Sequence, residues 1–148
     1  MIAAAPYAQA IYVQLATMFG ADVMPLVAFA HDGVPIAKER PRLGAGGRTH
    51  TPERTAAAEE HLAWAFKLAW RGGAPLLGNL AMVCVFYRPD RRRIDADNML
   101  KLVCDAGNIA KVWSDDSQIT TKFARVELDK ARPRTEIAIG SLASTLTR

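Results

Sequence analysis

The sequence predicts an α+β fold: a single domain with one mixed β-sheet and helices packed mainly on one face. Three observations predict it. Apolar runs at 25–30 and 76–87 and an alternating pattern over 119–139 have the character of strands. Two amphipathic segments, one opening at Thr51 and one after Asp97, have the spacing of helices. The resulting order of strand, basic loop, helix, strand, helix, strand, strand suits one sheet with its helices gathered on one side. A chain of 148 residues is long enough for one domain with a real core. The organisation expected is an extension over 1–22, possible as a helix, a domain over 23–140 and a disordered tail over 141–148.

Residues 1–21 carry no charge, but Pro6, Gln9 and Gln14 interrupt them and alanines dominate, which argues against a membrane span. No Lys or Arg precedes the apolar part, which argues against a signal peptide. Tyr7, Ile11, Leu15 and Met18 recur at helical spacing, so this segment is expected to pack on the domain or on a partner subunit without a catalytic part. Pro25–Ala30 is a short strand, and His31-Asp32-Gly33 reads as a turn.

A basic stretch follows. Pro35 and Pro41 keep Lys38, Arg40 and Arg42 on extended backbone, and the glycines of 44–47, followed by Arg48, would let the loop mould to a phosphate chain. A solvated basic loop would have the same composition. Thr51-Pro52-Glu53 then opens a helix, with Thr51 as N-cap, running to about Trp70 and stopping at Gly72-Gly73. Leu62, Ala65, Phe66 and Ala69 form its apolar stripe, widened by Trp64 and Leu68, so the tryptophans are expected to pack rather than stack on bases.

Leu76–Tyr87 is apolar nearly throughout, as a central strand covered on both faces would be. Ile119, Thr121 and Phe123 alternate in one phase and Val126 and Leu128 in the other, which predicts a bulge between them. Residues 130–133 turn the chain, and Thr135, Ile137 and Ile139 form a last strand expected to pair as a hairpin with the one before.

The charge balance of 19 basic against 15 acidic residues excludes little; it says only that polyanions are not repelled. Cys84 and Cys104 lie in apolar patterns with no C-x-x-C, as buried free thiols of a reducing, cytoplasmic compartment would. His31, His50 and His61 are scattered, with no metal-ligand spacing, and are expected at the surface.

The chemistry concentrates between Asp90 and Gln118. Three arginines, Arg91, Arg92 and Arg93, precede Asp95 and Asp97; a helix of about three turns follows, and the stretch closes on Trp113, Asp115 and Asp116. Metal-assisted attack on phosphate wants this arrangement, because hard divalent cations take one or two carboxylates plus waters and substrate oxygens. On extended chain Asp95 and Asp97 would point to one side, with Asp97 or Asn98 capping the helix. Lys101 stands one turn beyond Asp97, where its ammonium could meet the scissile phosphate while the arginines hold the flanking backbone. The same residues are also compatible with helix capping and an ordinary i,i+4 ion pair, and Asp115-Asp116-Ser117 with a plain turn.

The run Asp95-Ala-Asp97-Asn98-x-x-Lys101, then Asp105-Ala106, then Val112-Trp113-Ser-Asp115-Asp116-Ser117-Gln118-Ile119, resembles the signature of the RusA-like Holliday junction resolvases. The spacings match without insertion through this core. A G-x-P-x-x-K-x-R-P-R stretch and a T-P helix start extend the resemblance to about residues 26–139. It implies that Asp95, Asp97 and Asp116 bind metal with Asp115 as neighbour, that Lys101 is catalytic, and that the protein is a homodimer. Ala96 departs from the family in place of a larger apolar residue, and Lys111 in place of a glycine common before the aromatic.

The function expected is resolution of four-way DNA junctions by Mg²⁺-dependent phosphodiester hydrolysis with paired symmetric nicks, Mn²⁺ able to substitute. Lys38, Arg40, Arg42, Arg48 and Arg91–Arg93 are the expected DNA contacts, and neither a membrane nor an organic cofactor is implied. Two rivals share the sequence features: a nuclease acting on flaps or forks, and a non-catalytic junction-binding protein whose acidic pairs are only caps.

Overall fold

The computed structural model describes residues 23–71 and 73–142, together with Ala10, Val13, Gln14, Thr17 and Met18 before them. Those five isolated positions are helical, and Ala10 and Gln14 border a pocket with Tyr87, Arg125 and Glu136. The rest of the expected N-terminal helix, including Tyr7, Ile11 and Leu15, lies outside the described residues, as does the tail over 143–148.

Four strands form the main sheet: β1 (Val23–Asp32), β4 (Leu80–Arg88), β5 (Ile119–Leu128) and β6 (Arg134–Leu142). Their order is β1-β6-β4-β5, and a two-stranded ribbon of β2 (Arg42–Leu43) and β3 (Thr49–His50) stands apart. Two helices complete the fold, α1 (Glu53–Ala69) and α2 (Ala96–Ala110). The α+β expectation holds, with a mixed sheet: β4 and β5 are parallel, while β6 is antiparallel to both β1 and β4. Parallel neighbours need a crossover, and α2 supplies it between β4 and β5.

The expected β5–β6 hairpin does not form, because β4 lies between those strands. Alternation fixes which side chains face which way, but it carries no information on which strand sits alongside. The last strand also continues to Leu142, pairing Ser141 with Met24 and Leu142 with Val23, two residues past the expected end of the domain.

β4 is central and buried on both faces, as its sequence requires. Leu80, Met82, Cys84 and Phe86 point toward the helices, where they meet Phe66, Met99, Val103, Trp113, Ile137 and Ile139. Ala81, Val83 and Val85 point the other way, to Ala138 and Phe123. Two bulges adjust the alternation at the sheet's outer strands. Leu26 has no partner between the Pro25–Gly140 and Val27–Ile139 pairs, so Val23 joins the far face while Val27 and Phe29 stay on the helix side. Thr120 is likewise extra between the Leu80–Ile119 and Ala81–Thr121 pairs. The bulge in β5 is therefore at Thr120 and not between Phe123 and Val126.

On α1 the N-cap is Pro52 rather than Thr51, with no side-chain capping bond. Leu62, Ala63 and Phe66 are buried, but Trp64 is 59% exposed and Leu68 57%, so the apolar stripe is narrower than expected. Trp64 instead carries the Lys67 ammonium 5.0 Å above its ring. Both cysteines are buried free thiols. On the far face Arg134 and Glu136 form a buried pair at 3.0 Å, and the Arg134 guanidinium lies 3.7 Å above the Tyr87 ring.

Candidate active site

Asp95 ends the loop from β4, and helical geometry begins at Ala96 rather than continuing extended. The cap is thus Asp95, whose Oδ1 accepts the amides of Asp97 and Asn98 at 2.9 and 3.3 Å, while its Oδ2 accepts Asn98 Nδ2 at 3.1 Å. Asp97 sits in the first turn of α2, two positions past this extended cap. Of the D-x-D pair, Asp97 lines a groove, while the Asp95 carboxylate is engaged in the cap.

Asp97 heads a stripe of α2 at spacings of three and four: Asp97, Leu100, Lys101, Cys104 and Asp105. These five line one wall of an open groove of about 470 Å³, completed by Asp116, Lys38 and Lys122. The structure thus brings together Asp97, Lys101, Asp116 and Lys38 from the expected set. It adds Asp105 and Lys122, which sequence reasoning had not placed at the site.

Asp116 begins a 3-10 turn, Asp116–Gln118, just before β5. Asp115 is its N-cap, accepting the Ser117 amide at 3.1 Å, and hydrogen bonding from the Ser117 side chain, then from its amide, holds its carboxyl below the usual carboxylate range. Gln118 Oε1 accepts the Ser114 and Asp115 amides, and its Nε2 donates to the carbonyls of Leu76 and Gly78, tying the turn to the loop before β4. Asn108 donates to Asp116 Oδ2 at 3.2 Å and accepts Trp113 Nε1–H at 2.6 Å. The D-D-x-Q motif accordingly builds a rigid turn, from which Asp116 alone faces the groove.

Lys38 enters from the basic stretch, and it is not a free cation. Its ammonium pairs with Asp105 and, at 3.3 Å, with Glu59 of α1. Burial alone would lower its pKa, but the bond to Asp105 and the charge of Glu59 outweigh that and raise it. Around it the chain is anchored by Lys38 N–H to Asn98 O and Glu39 N–H to Thr55 Oγ1. The remaining basic residues lie outward: Arg40, Arg48, Arg91, Arg92 and Arg93 are exposed, and Arg42 is in β2.

Burial pushes the Cys104 thiol up to about 11, with Lys122 pulling it down and Asp116 and Asp105 pushing it up. The four side chains line the same groove, and Cys104 stays a protonated floor to it. With Asp105 neutralised by Lys38, the groove keeps two carboxylates, Asp97 and Asp116, and two lysines, Lys101 and Lys122, that have no ion-pair partner among the described residues.

The chain matches the family described as Endodeoxyribonuclease RusA over residues 32–140, a span that takes in the whole groove. It belongs to the RusA endodeoxyribonuclease family. No curated protein matches the chain. As a RusA-family nuclease it must bring charge to a phosphodiester, and this groove carries charge of both signs. Among the described residues no three acidic, histidine or cysteine side chains come close enough to hold a metal between them. Two hard oxygen donors in an open groove do fit Mg²⁺, which keeps several waters and binds through one or two carboxylates plus substrate phosphate. Also among the described residues, no helix is long and apolar enough to cross a membrane.

Proposed function

We propose that this RusA-family protein is a cytoplasmic, divalent-metal-dependent endonuclease that resolves four-way DNA junctions as a homodimer. The observation that carries the reading is the convergence of Asp97 from α2 and Asp116 from the turn before β5 on one open groove with Lys101.

Asp97 and Asp116 are the residues that would hold Mg²⁺ or Mn²⁺. When bound, the metal would supply Lewis-acid charge on the phosphate and acidify a water for attack. Asp95 and Asp115 act by capping, which fixes the helix start and the turn that carry the two groove-facing carboxylates. Lys101, one turn beyond Asp97, stabilises the negative charge that builds on the phosphate oxygens. Lys38 with Asp105 and Glu59 braces the wall of the groove, while Arg40, Arg42, Arg48 and Arg91–Arg93 contact the flanking backbone. Two symmetric nicks across a junction require two identical sites, which a two-fold dimer presents.

The test is cleavage of a synthetic immobile four-way junction, labelled on one strand, in Mg²⁺, in Mn²⁺ and in EDTA, beside a linear duplex and a flap. Paired nicks near the branch point, absent in EDTA and absent on duplex, are expected. Asp97→Asn is expected to bind the junction and not cut it. Cleavage of the flap alone would replace the substrate, and near wild-type cutting by Asp97→Asn would overturn the metal assignment.

A further inference from the structure

We propose that Lys122 is a second phosphate-contacting residue of this groove, gripping the DNA strand from the wall opposite Lys101; the inference rests on the nuclease function proposed above. Three observations carry it. First, Lys122 lines the same groove as Asp97, Lys101 and Asp116, but it comes from β5 and not from α2.

Second, its direction depends on the bulge at Thr120. In unbroken alternation from the buried Ile119, Lys122 would fall on the far face of the sheet with Thr120. The extra residue reverses the phase: Thr121 pairs with Ala81 of the far face, Lys122 with Met82 of the helix face, and Ala124 with Cys84 on that same side. A bulge that redirects one side chain beside an active site is a recurrent device of such sheets.

Third, Lys122 has no ion-pair partner among the described residues, although Asp105 and Asp116 line the same groove. Asp105 is taken by Lys38, and Asp116 is bonded by Asn108. A lysine left without a counter-ion, beside one carboxylate already paired with Lys38 and one that a metal would claim, is suited to an incoming anion. A DNA strand supplies one at every phosphate. With Lys101 on α2 and Lys122 on β5, a backbone entering the groove meets an ammonium on each side.

The experiment measures wild type, Lys122→Met and Lys122→Arg. Affinity for the immobile junction is read in EDTA across a salt series, and steady-state cleavage is read in Mg²⁺. Each phosphate contact contributes about 0.9 to the slope of log K against log salt. Lys122→Met is therefore expected to lose roughly that slope, to bind about five- to tenfold more weakly near 0.1 M salt, and to match wild type near 1 M. KM should rise while kcat at saturation stays within about twofold, the signature of lost uniform binding. Lys122→Arg is expected to restore the slope. If wild type binds and cuts the junction but Lys122→Met keeps the wild-type slope and KM, the inference is overturned and the proposed function stands. If wild type neither binds nor cuts any branched DNA, both fall.

Discussion

Asn108 bridges Trp113 to Asp116: its Oδ1 accepts the indole N–H at 2.6 Å and its Nδ2 donates to Asp116 Oδ2 at 3.2 Å. Because the indole is only a donor, the amide has one consistent orientation, with its NH₂ toward the carboxylate. A buried ring thereby sets the direction of a carboxylate at the groove. Partners of this kind are worth about 10- to 100-fold in metal affinity when removed. Asn108→Ala is expected to raise the Mg²⁺ concentration needed for half-maximal cleavage by at least about tenfold. Trp113→Phe, which keeps Asn108, is expected to raise it less. A Mg²⁺ titration of cleavage well below the unfolding temperature decides the matter, since loss of stability alone would not move the midpoint. An unchanged midpoint in Asn108→Ala would remove Asn108 from the positioning of Asp116.

Gly107 lies directly beneath the Trp113 ring, and a Cβ at that position would overlap the indole carbons. Trp113 is 1% exposed and packs edge-on against Phe66, so it has no room to retreat. Overpacking a tight core costs typically about 1–3 kcal/mol, and a rigid ring with no free side places Gly107→Ala at the upper end. Urea unfolding should show a loss of about 3 kcal/mol despite alanine's better helix propensity. A net gain of about 1 kcal/mol, the helix-propensity difference, would mean that the ring moves freely.

Asp97, Lys101 and Asp116 were legible in the sequence because their placement follows from local periodicity. One turn of helix puts Lys101 beside Asp97, and a short turn ahead of a strand puts Asp116 near the helix it follows. The helix start differs from the expected one for an equally local reason: the cap is Asp95 rather than Asp97 or Asn98, because helical geometry already begins at Ala96. Lys122 was not legible. Its direction depends on the extra residue at Thr120, and that exists only in the register of β5 against β4. Lys38 is expected from the sequence as a DNA contact, and its pairing was not legible there because the carboxylate that neutralises it, Asp105, is 67 positions away. The strand order failed similarly: the β5–β6 turn is local, but the insertion of β4 between those strands is decided by packing. The RusA-like motif supplied the family, and the groove's further members needed the fold.

Lys111 ends α2 with φ at +56°, the left-handed conformation, and its amide bonds back to Asn108 and Gly107 carbonyls. A side chain there costs about 1–2 kcal/mol, whereas glycine adopts this geometry without strain but loses more freedom on folding, about 0.5–1 kcal/mol. Lys111→Gly is expected to stabilise the protein by about 0.5–1 kcal/mol, read as a higher urea midpoint with an unchanged slope. Junction cleavage should be unaltered, because Lys111 does not line the groove. A lower midpoint would show that Lys111 makes a side-chain contribution larger than its backbone strain.

His31 is expected at the surface but is half-buried, lining a cavity with Asp32, His61, Leu62, Phe86 and Met99. Burial, and then the charge of His61, lower its pKa below 6.5, with Asp32 opposing them. Below pH 6.5 the unfolded chain therefore takes up a proton that the folded one resists, so this contribution to stability is full above 6.5 and lost as pH falls through the folded value. Asp115 and Asp129, both held below 3.8, contribute to acid sensitivity only at lower pH, and Glu136, raised above 4.5 by burial, works in the opposite sense. The His31 contribution is isolated by comparing variants rather than by the wild-type curve. His31→Gln is expected to lose less stability than wild type between pH 7 and pH 5.5, measured by urea unfolding at each pH. Parallel curves for the two proteins over that interval would show that His31 titrates normally, and that the cavity admits its charge.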